Sequence, residues 1–324
     1  MSETAAAYAG LRVLVTGATG FLGSHLVRAL AAAGAETHTL VRTTRIASLA
    51  PVDRVRAHSC DLVDAAAVAS VVSTVDPDLV FHLAAYGTTG LQSDRARIER
   101  VNIAGTTNLW DALGPRVRRF VHTGTCAEYG DVRGPIPEAH VCQPRSLYAA
   151  TLHAAVTISQ ARGLESGREV VILRPFGPYG AGDRPERLIP YVIARLLAGE
   201  RAEVTRGDQL RDYSHVDDHV SAMLLAGARP LPSAVRVYNV ASGRPIAVRA
   251  LLETIAAEVG GDASQRLIFG ARPLGAHEPR EMYADVAAID RDLGFRSQVD
   301  LRDGLRRTIE AARASLVANG GVPR

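Results

Sequence analysis

The chain has 324 residues, a formal charge of +3, and 37 basic side chains against 34 acidic ones, every basic one being arginine. That length can bury a substantial core. No segment approaches the roughly 18 uninterrupted apolar residues of a membrane span, and the dispersed charge, with only short clusters such as Arg116, Arg118 and Arg119, reads as a solvated face with no nucleic-acid footprint. Cys60, Cys126 and Cys142 lack metal-ligand or CxxC spacing, and their odd number argues against a disulfide framework. The N-terminal MSETAAAYAG has no basic stretch followed by an apolar core. These features predict a cytoplasmic protein with no metal and neither membrane nor nucleic acid as partner.

In chain order, RVLVT at residues 12–16 reads as a short apolar strand ending at Gly17, and GSHLVRALAAAGA follows with helical periodicity. THTLV is a second strand and VDPDLVFHLAA introduces another. RVNIAGTTNLWDAL reads as a helix, RRFVHTGT as a strand, LYAATLHAAVTISQARGLESG as a long helix and EVVILRP as a strand. Strands separated by helices of this length predict an α/β fold, a doubly wound parallel sheet covered on both faces. After Pro175 the glycine- and proline-rich FGPYGAGDRPE leads into helices around 188–198 and 248–258 with short strands RVYNVA and RLIFG. The expected division is a Rossmann-like dinucleotide-binding domain over 1–175 and a smaller mixed substrate domain over 176–324, with a segment near 236–242 crossing back to the large sheet.

VTGATGFLGSH places Gly17, Gly20 and Gly23 between a strand and a helix. Glycines there permit a tight turn, close approach of backbone N–H groups to a pyrophosphate, and packing of helix on sheet. The second strand would ordinarily end near an acid that accepts from the adenosine ribose. Here the segment is TLVRTTR, with Arg42 and Arg45 and no acid. A carboxylate repels a 2′-phosphate and a guanidinium binds one, so NADP is the expected cofactor, with NAD as the alternative.

Further along stand CDLVD, FHLAAYG, VNIAGTTNLW, HTGTCAEYG, LRPFGPYGAGD, GDQLRDYSHVDD and REMYADVAAIDRDLGF. In their order and spacing these segments, with the glycine loop, resemble the extended short-chain dehydrogenase/reductase family, in particular its nucleotide-sugar epimerases, dehydratases and 4-ketoreductases. The resemblance covers nearly the whole chain. It implies dinucleotide contacts from Gly17, Thr19, Gly20, Phe21, Leu22 and Gly23, from Asp61 and Leu62 at the adenine, from Leu83, Ala84 and Ala85, and from Asn102 and Pro175. It further implies that Thr125 hydrogen-bonds the sugar oxygen being oxidised or reduced, and that Tyr148 exchanges a proton with that oxygen while hydride passes at the nicotinamide.

The family pattern carries a lysine four residues after that tyrosine, on the same helical face. Here the residue is Leu152. An unperturbed tyrosine has a pKa near 10, and Leu152 supplies no charge to lower it, so reduction suffers less than oxidation: a neutral tyrosine can still give its proton to a carbonyl. The substitution is either one case of a chain-wide avoidance of lysine or a specific functional loss. A reduction-biased enzyme, unusual chemistry on the same fold, and a binding protein without turnover all stay open. His153 is the neighbouring titratable group, about 100° around the helix from position 152.

The family's dehydratases place an Asp–Glu pair directly after the active-site threonine. Cys126 and Ala127 occupy those positions, with Glu128 one residue on; a shift by one residue along a strand turns the side chain to the opposite face, which disfavours dehydration. For the substrate, the resemblance implies that Phe176, Gly177 and the residues up to Tyr179 border the sugar with Arg187 behind them. Arg211 and Arg272 would bracket a diphosphate, since each guanidinium binds phosphate oxygens in parallel. Val204 and Tyr213 border the nucleotide without identifying its base, and Tyr86, Thr88 and Thr89 offer hydroxyls to the hexose. The expected activity is reduction of a 4-keto-6-deoxyhexose on a nucleotide diphosphate, with 4-epimerisation and ligand binding without turnover as alternatives. The expected assembly is a homodimer through the LYAATLHAAVTISQ helix.

Overall fold

The computed structural model describes residues 3–48, 51–87, 93–275 and 278–318. Seven strands, β1 (Arg12–Thr16), β2 (Glu36–Val41), β3 (Val55–Ser59), β4 (Leu79–His82), β5 (Arg119–Thr123), β6 (Glu169–Pro175) and β7 (Val235–Val240), form one sheet in the order β7-β6-β5-β4-β1-β2-β3. Every pair is parallel. The longer helices are α1 (Phe21–Ala32), α2 (Ala65–Val75), α3 (Gly105–Ala112), α4 (Leu147–Ser166), α5 (Leu188–Leu197), α6 (Val216–Ala228), α7 (Val248–Val259) and α8 (Leu301–Ala318).

Parallel strands buried on both faces read as apolar runs, because alternate side chains enter different cores. Val13 and Val15 of β1, Phe81 of β4 and Val171 and Leu173 of β6 pack on α1 and α6. Their neighbours Leu14, Val80, Val170 and Ile172 pack on α2, α3 and α4, where Trp110 lies over Phe120. The expected doubly wound α/β architecture is therefore present.

A second layer collects Ile189, Val192, Leu251, Leu252, Ile255, Leu305 and Ile309 from α5, α7 and α8. Beside it, Pro245–Ala247, Leu210–Asp212, Glu281–Ala284 and Pro135–Ile136 form a four-stranded sheet in that order. Among the described residues no helix is long and apolar enough to cross a membrane.

Two local features differ from a plain reading of the pattern. The expected continuous helix over RVNIAGTTNLWDAL begins as a π-helical turn, Arg100–Ala104, before α3; such turns widen the helix and re-aim side chains. The segment after Thr125 is a 3-10 turn, Cys126–Tyr129, where the dehydratase comparison supposed a strand.

Candidate active site

The sheet's strand order reverses at β1, between β2 and β4, and the carboxyl ends of strands around such a point leave a crevice. There the chain encloses a cleft of about 960 Å³. Its floor is backbone. Gly17 has φ +76°, and a Cβ on it would lie 2.7 Å from Ala84 N and from the Leu83 carbonyl carbon, so only glycine fits. A Cβ on Gly23 would fall 2.2 Å from the Gly17 oxygen. Gly20 caps α1 with no side chain of its own, leaving the helix N-terminus open to the cleft.

A neutral hydrogen-bond relay holds this floor. Thr106 donates to the Asn102 carbonyl at 2.7 Å and accepts from His82 Nε2 at 2.9 Å. With Nε2 carrying the proton, His82 Nδ1 accepts from Thr16 Oγ1 at 2.7 Å, and Thr16 in turn accepts the Ala84 N–H at 3.2 Å. His82 is buried beside His122, and desolvation pushes its pKa down to about 4. The same burial holds His122 well below its usual value. The relay thus requires the uncharged imidazole.

Asn102, expected at the cofactor, lies outside the cleft lining and is 1% exposed. Its oxygen accepts the Tyr86 N–H at 2.8 Å, and its amide donates to the Tyr86 carbonyl at 3.0 Å and to Thr151 at 2.9 Å. Thr151 donates to the Tyr148 carbonyl at 3.0 Å. The widened turn therefore ties the loop after β4 to the first turn of α4, and Asn102 positions the two walls relative to each other.

The opposite wall carries Thr125, Cys126, Tyr148 and Leu152. Ser146 caps α4 by accepting the Ala149 N–H, which sets Tyr148 in the first turn. Burial pushes the Tyr148 hydroxyl up to about 12; Arg187 and Arg184 oppose that rise, while Cys126 and Glu128 add to it. Cys126 is pushed up to about 11, chiefly by desolvation, so it is a protonated thiol at neutral pH. Leu152 is 2% exposed and presents hydrocarbon to the cleft where the family pattern has an ammonium.

Glu128 does not enter the cleft. It is fully buried, accepts the Thr125 N–H at 2.8 Å, and is paired with Arg174 at 3.0 Å and His153 at 3.3 Å. Thr125 and Glu128 form a capping box on the 3-10 turn. This turn and the ion pair of Glu128, and not alternation along a strand, remove the carboxylate from the cleft. His153 faces Glu128 and does not line the cleft. Among the described residues, Glu128, Cys142 and His153 bring donor atoms within 4.8 Å of one another. However, Arg174 and the Thr125 N–H already occupy both oxygens of Glu128, which leaves it a poor ligand for a cation.

Of the expected contacts, Gly17, Thr19, Gly20, Phe21, Leu22, Gly23, Arg42, Arg45, Asp61, Leu62, Leu83, Ala84, Ala85, Tyr86, Thr125, Tyr148, Pro175, Gly177 and Arg187 line this one cleft. Phe176 does not: it is buried against Tyr129. Val204 is core between α5 and α7. Arg211 gives its guanidinium to Glu278 at 2.8 Å and to the carbonyls of Leu210, Pro279 and Arg280. Arg272 donates to the Tyr191 hydroxyl and lies over its ring. Thr88 and Thr89 fall outside the described residues. The cleft also contains Arg28, Arg97, Asp183, Arg184 and Glu186, which sequence reasoning missed. The signal for Asp183, Arg184 and Glu186 was available in the GDRPER run flanking Arg187; Arg28 gave none, being one arginine among many on an ordinary amphipathic helix.

The chain matches the model of the NAD dependent epimerase/dehydratase family over residues 13–241. It is 31% identical to a dTDP-glucose 4,6-dehydratase of Streptomyces griseus over 316 residues, covering 92% of each chain. It is likewise 31% identical to the GDP-6-deoxy-D-mannose reductase of Pseudomonas aeruginosa, over 91% of this chain and 95% of that one. Among solved structures, DesIV, a dTDP-glucose 4,6-dehydratase from Streptomyces venezuelae with NAD bound, superimposes with a TM-score of 0.84 at 30% identity, covering 94% of this chain and 98% of that chain. UDP-glucose 4-epimerase from Thermotoga maritima gives 0.84 at 26% identity, over 94% and 99%. The glycine turn at the switch point and a match running through the large sheet into β7 have one explanation: this protein belongs to the NAD dependent epimerase/dehydratase family.

Proposed function

We propose that this chain is a dinucleotide-dependent oxidoreductase that reduces a 4-keto-6-deoxyhexose carried on a nucleotide diphosphate. The observation that carries the reading is the composition of one cleft. A glycine turn shaped for a pyrophosphate shares the cleft with Thr125 and Tyr148, while the two positions after Thr125 hold a thiol and a methyl group and the next residue, Glu128, is locked in an ion pair. The Gly17 cradle fits a dinucleotide because its backbone can approach to distances no side chain allows. Arg42 and Arg45 line the same cleft and favour a 2′-phosphate, hence NADP over NAD. When bound, the reduced nicotinamide supplies hydride to the carbonyl carbon.

The chain's own part is to hold and protonate. Thr125 hydrogen-bonds the keto oxygen, and Tyr148, neutral at working pH because burial raises its pKa, gives that oxygen its proton as the C=O becomes CH–OH. Positioning and a proton donor of this kind contribute about 10²–10⁴-fold. A carboxylate acid–base pair for removing water is missing from positions 126 and 127, which favours reduction over the 4,6-dehydration named for several relatives. A homodimer through α4 accompanies this reading.

The test is NADPH oxidation across 4-keto-6-deoxyhexoses on dTDP, UDP, GDP and CDP. Turnover of at least one, falling about 100-fold or more in Tyr148→Phe, is expected; no consumption across the panel would overturn the reading. Loss of water from a nucleotide-linked glucose would put dehydration in its place, and interconversion of 4-epimers without net NADPH use would put epimerisation there.

A further inference from the structure

We propose that Arg187, reaching into the cleft from the N-terminal end of α5, replaces the missing helix lysine as the cation that stabilises the Tyr148 phenolate left after proton transfer. The catalytic consequence rests on the reduction reading, but the electrostatic claim does not.

The wall of α4 offers Tyr148 no charge: the residue one turn on is Leu152, and His153 is turned to Glu128. The cations act from across the cleft. Arg187 lies at the cap of α5, half exposed, with its Nε 3.5 Å from Asp183 Oδ2, and both residues line the same cavity as Tyr148. Arg187 and Arg184 of the 181–187 loop and Cys126 of the 3-10 turn line the cavity together with Tyr148, and Glu128 acts on its hydroxyl from outside the cleft. Of these four, Arg187 exerts the largest effect, and it also opposes the rise that burial imposes on the Cys126 thiol and the Tyr213 hydroxyl. The guanidinium and the phenol thus share one cavity. Asp183 is 3% exposed at its side chain and restrains the arginine through their ion pair.

The chemistry follows from charge. As Tyr148 Oη gives its proton to the keto oxygen, negative charge moves onto the phenol oxygen until solvent returns a proton; a bound reduced nicotinamide would supply the hydride to the carbon. A fixed cation nearby lowers that transition state more than the ground state. Arginine keeps its charge where a buried lysine would tend to lose it.

The direct test needs no substrate. The ¹³Cζ resonance of Tyr148, assigned by its loss in Tyr148→Phe, is followed to pH 11 in the wild type, Arg187→Gln, Arg187→Lys and Asp183→Asn. The displacement by pH 11 should be at least fivefold smaller in Arg187→Gln, reduced also in Arg187→Lys, whose ammonium has lost most of its charge by that pH, and larger in Asp183→Asn, where the arginine loses its counter-charge. An Arg187→Gln displacement within twofold of wild type overturns the proposal, and so does an Asp183→Asn change in the same direction as Arg187→Gln, which would signify a distorted cleft. Arg187→Met substitutes if the glutamine variant does not fold. In turnover, Arg187→Gln should lower kcat about 10–100-fold and move the alkaline limb of activity upward by at least one pH unit, with Arg187→Lys restoring most of the rate. A change confined to KM would make Arg187 a substrate anchor only and overturn the proposal, and absence of turnover with the expected NMR pattern would instead count against reduction.

Discussion

The two walls of the cleft are built on different principles. The dinucleotide wall is backbone held by uncharged groups: glycines whose missing Cβ atoms make room, and a relay through neutral His82. The catalytic wall is side chains held by charge: Glu128 between Arg174, His153 and the Thr125 N–H, with Arg187 lining the same cleft as Tyr148. A backbone wall is specified by which residues are absent, whereas a charged wall depends on partners far apart in sequence. The two should therefore fail differently under mutation and under acid.

The largest effect is expected from Glu128→Ala. Arg174 is 4% exposed, so removing its partner leaves a buried, uncompensated guanidinium, a loss of about 3–5 kcal/mol. Urea denaturation measures it, and adding Arg174→Met should recover part of the loss, because the orphaned charge goes with it. Equal destabilisation in the single and double variants would mean that Glu128 matters for packing and the Thr125 cap alone.

Acid should act on the other wall. The folded pKa of His82 is about 4 against about 6.5 unfolded, so between those values the unfolded chain binds a proton that the folded one refuses. Its contribution is complete above pH 6.5 and is lost as pH falls toward 4. From pH 6.5 to 5 the loss from this one group is about 1.6 kcal/mol. Buried His122 and His219 add in the same direction. Denaturation at the two pH values should show a flatter dependence in His82→Gln by that amount; an unchanged slope would mean that the relay accepts a charged imidazole.

This difference also explains what the sequence disclosed. The glycine turn and its strand–helix context lie within about a dozen residues, and their backbone constraint is local, so the floor of the cleft was legible. The continuous apolar runs of β1 and β6, buried on both faces, made the layered sheet legible as well. The catalytic wall was legible only as types. Thr125 and Tyr148 were identified through resemblance, but the fate of Glu128 depended on a 3-10 turn and on Arg174, 46 residues away. Asn102 and Phe176 were misplaced for a related reason: a π-helical turn spends the amide of one on Tyr86 and Thr151, and a small satellite core takes the ring of the other. Arg211 and Arg272 were plausible phosphate forks until their carbonyl, carboxylate and phenol partners were seen. In a chain whose basic residues are all arginine, sequence cannot say which guanidiniums are free for a ligand.

The glycine floor supplies the sharpest contrast within a single residue type. Gly17→Ala puts a methyl group 2.7 Å from Ala84 N and forces a positive φ on alanine, so either the turn or the loop after β4 must move away from the pyrophosphate position. Gly182→Ala also carries a positive φ, +82°, and lines the same cleft, but its Cβ meets nothing within 4 Å. Both variants bear the conformational cost of roughly 1 kcal/mol; only Gly17→Ala adds the clash. Calorimetric titration with NADP should show about a 100-fold loss of affinity for Gly17→Ala, equivalent to about 2.7 kcal/mol, and less than a threefold change for Gly182→Ala. Equal losses would place the constraint in backbone conformation, whereas the predicted split places it in the 2.7 Å approach, the feature that lets a wall without functional side chains be selective.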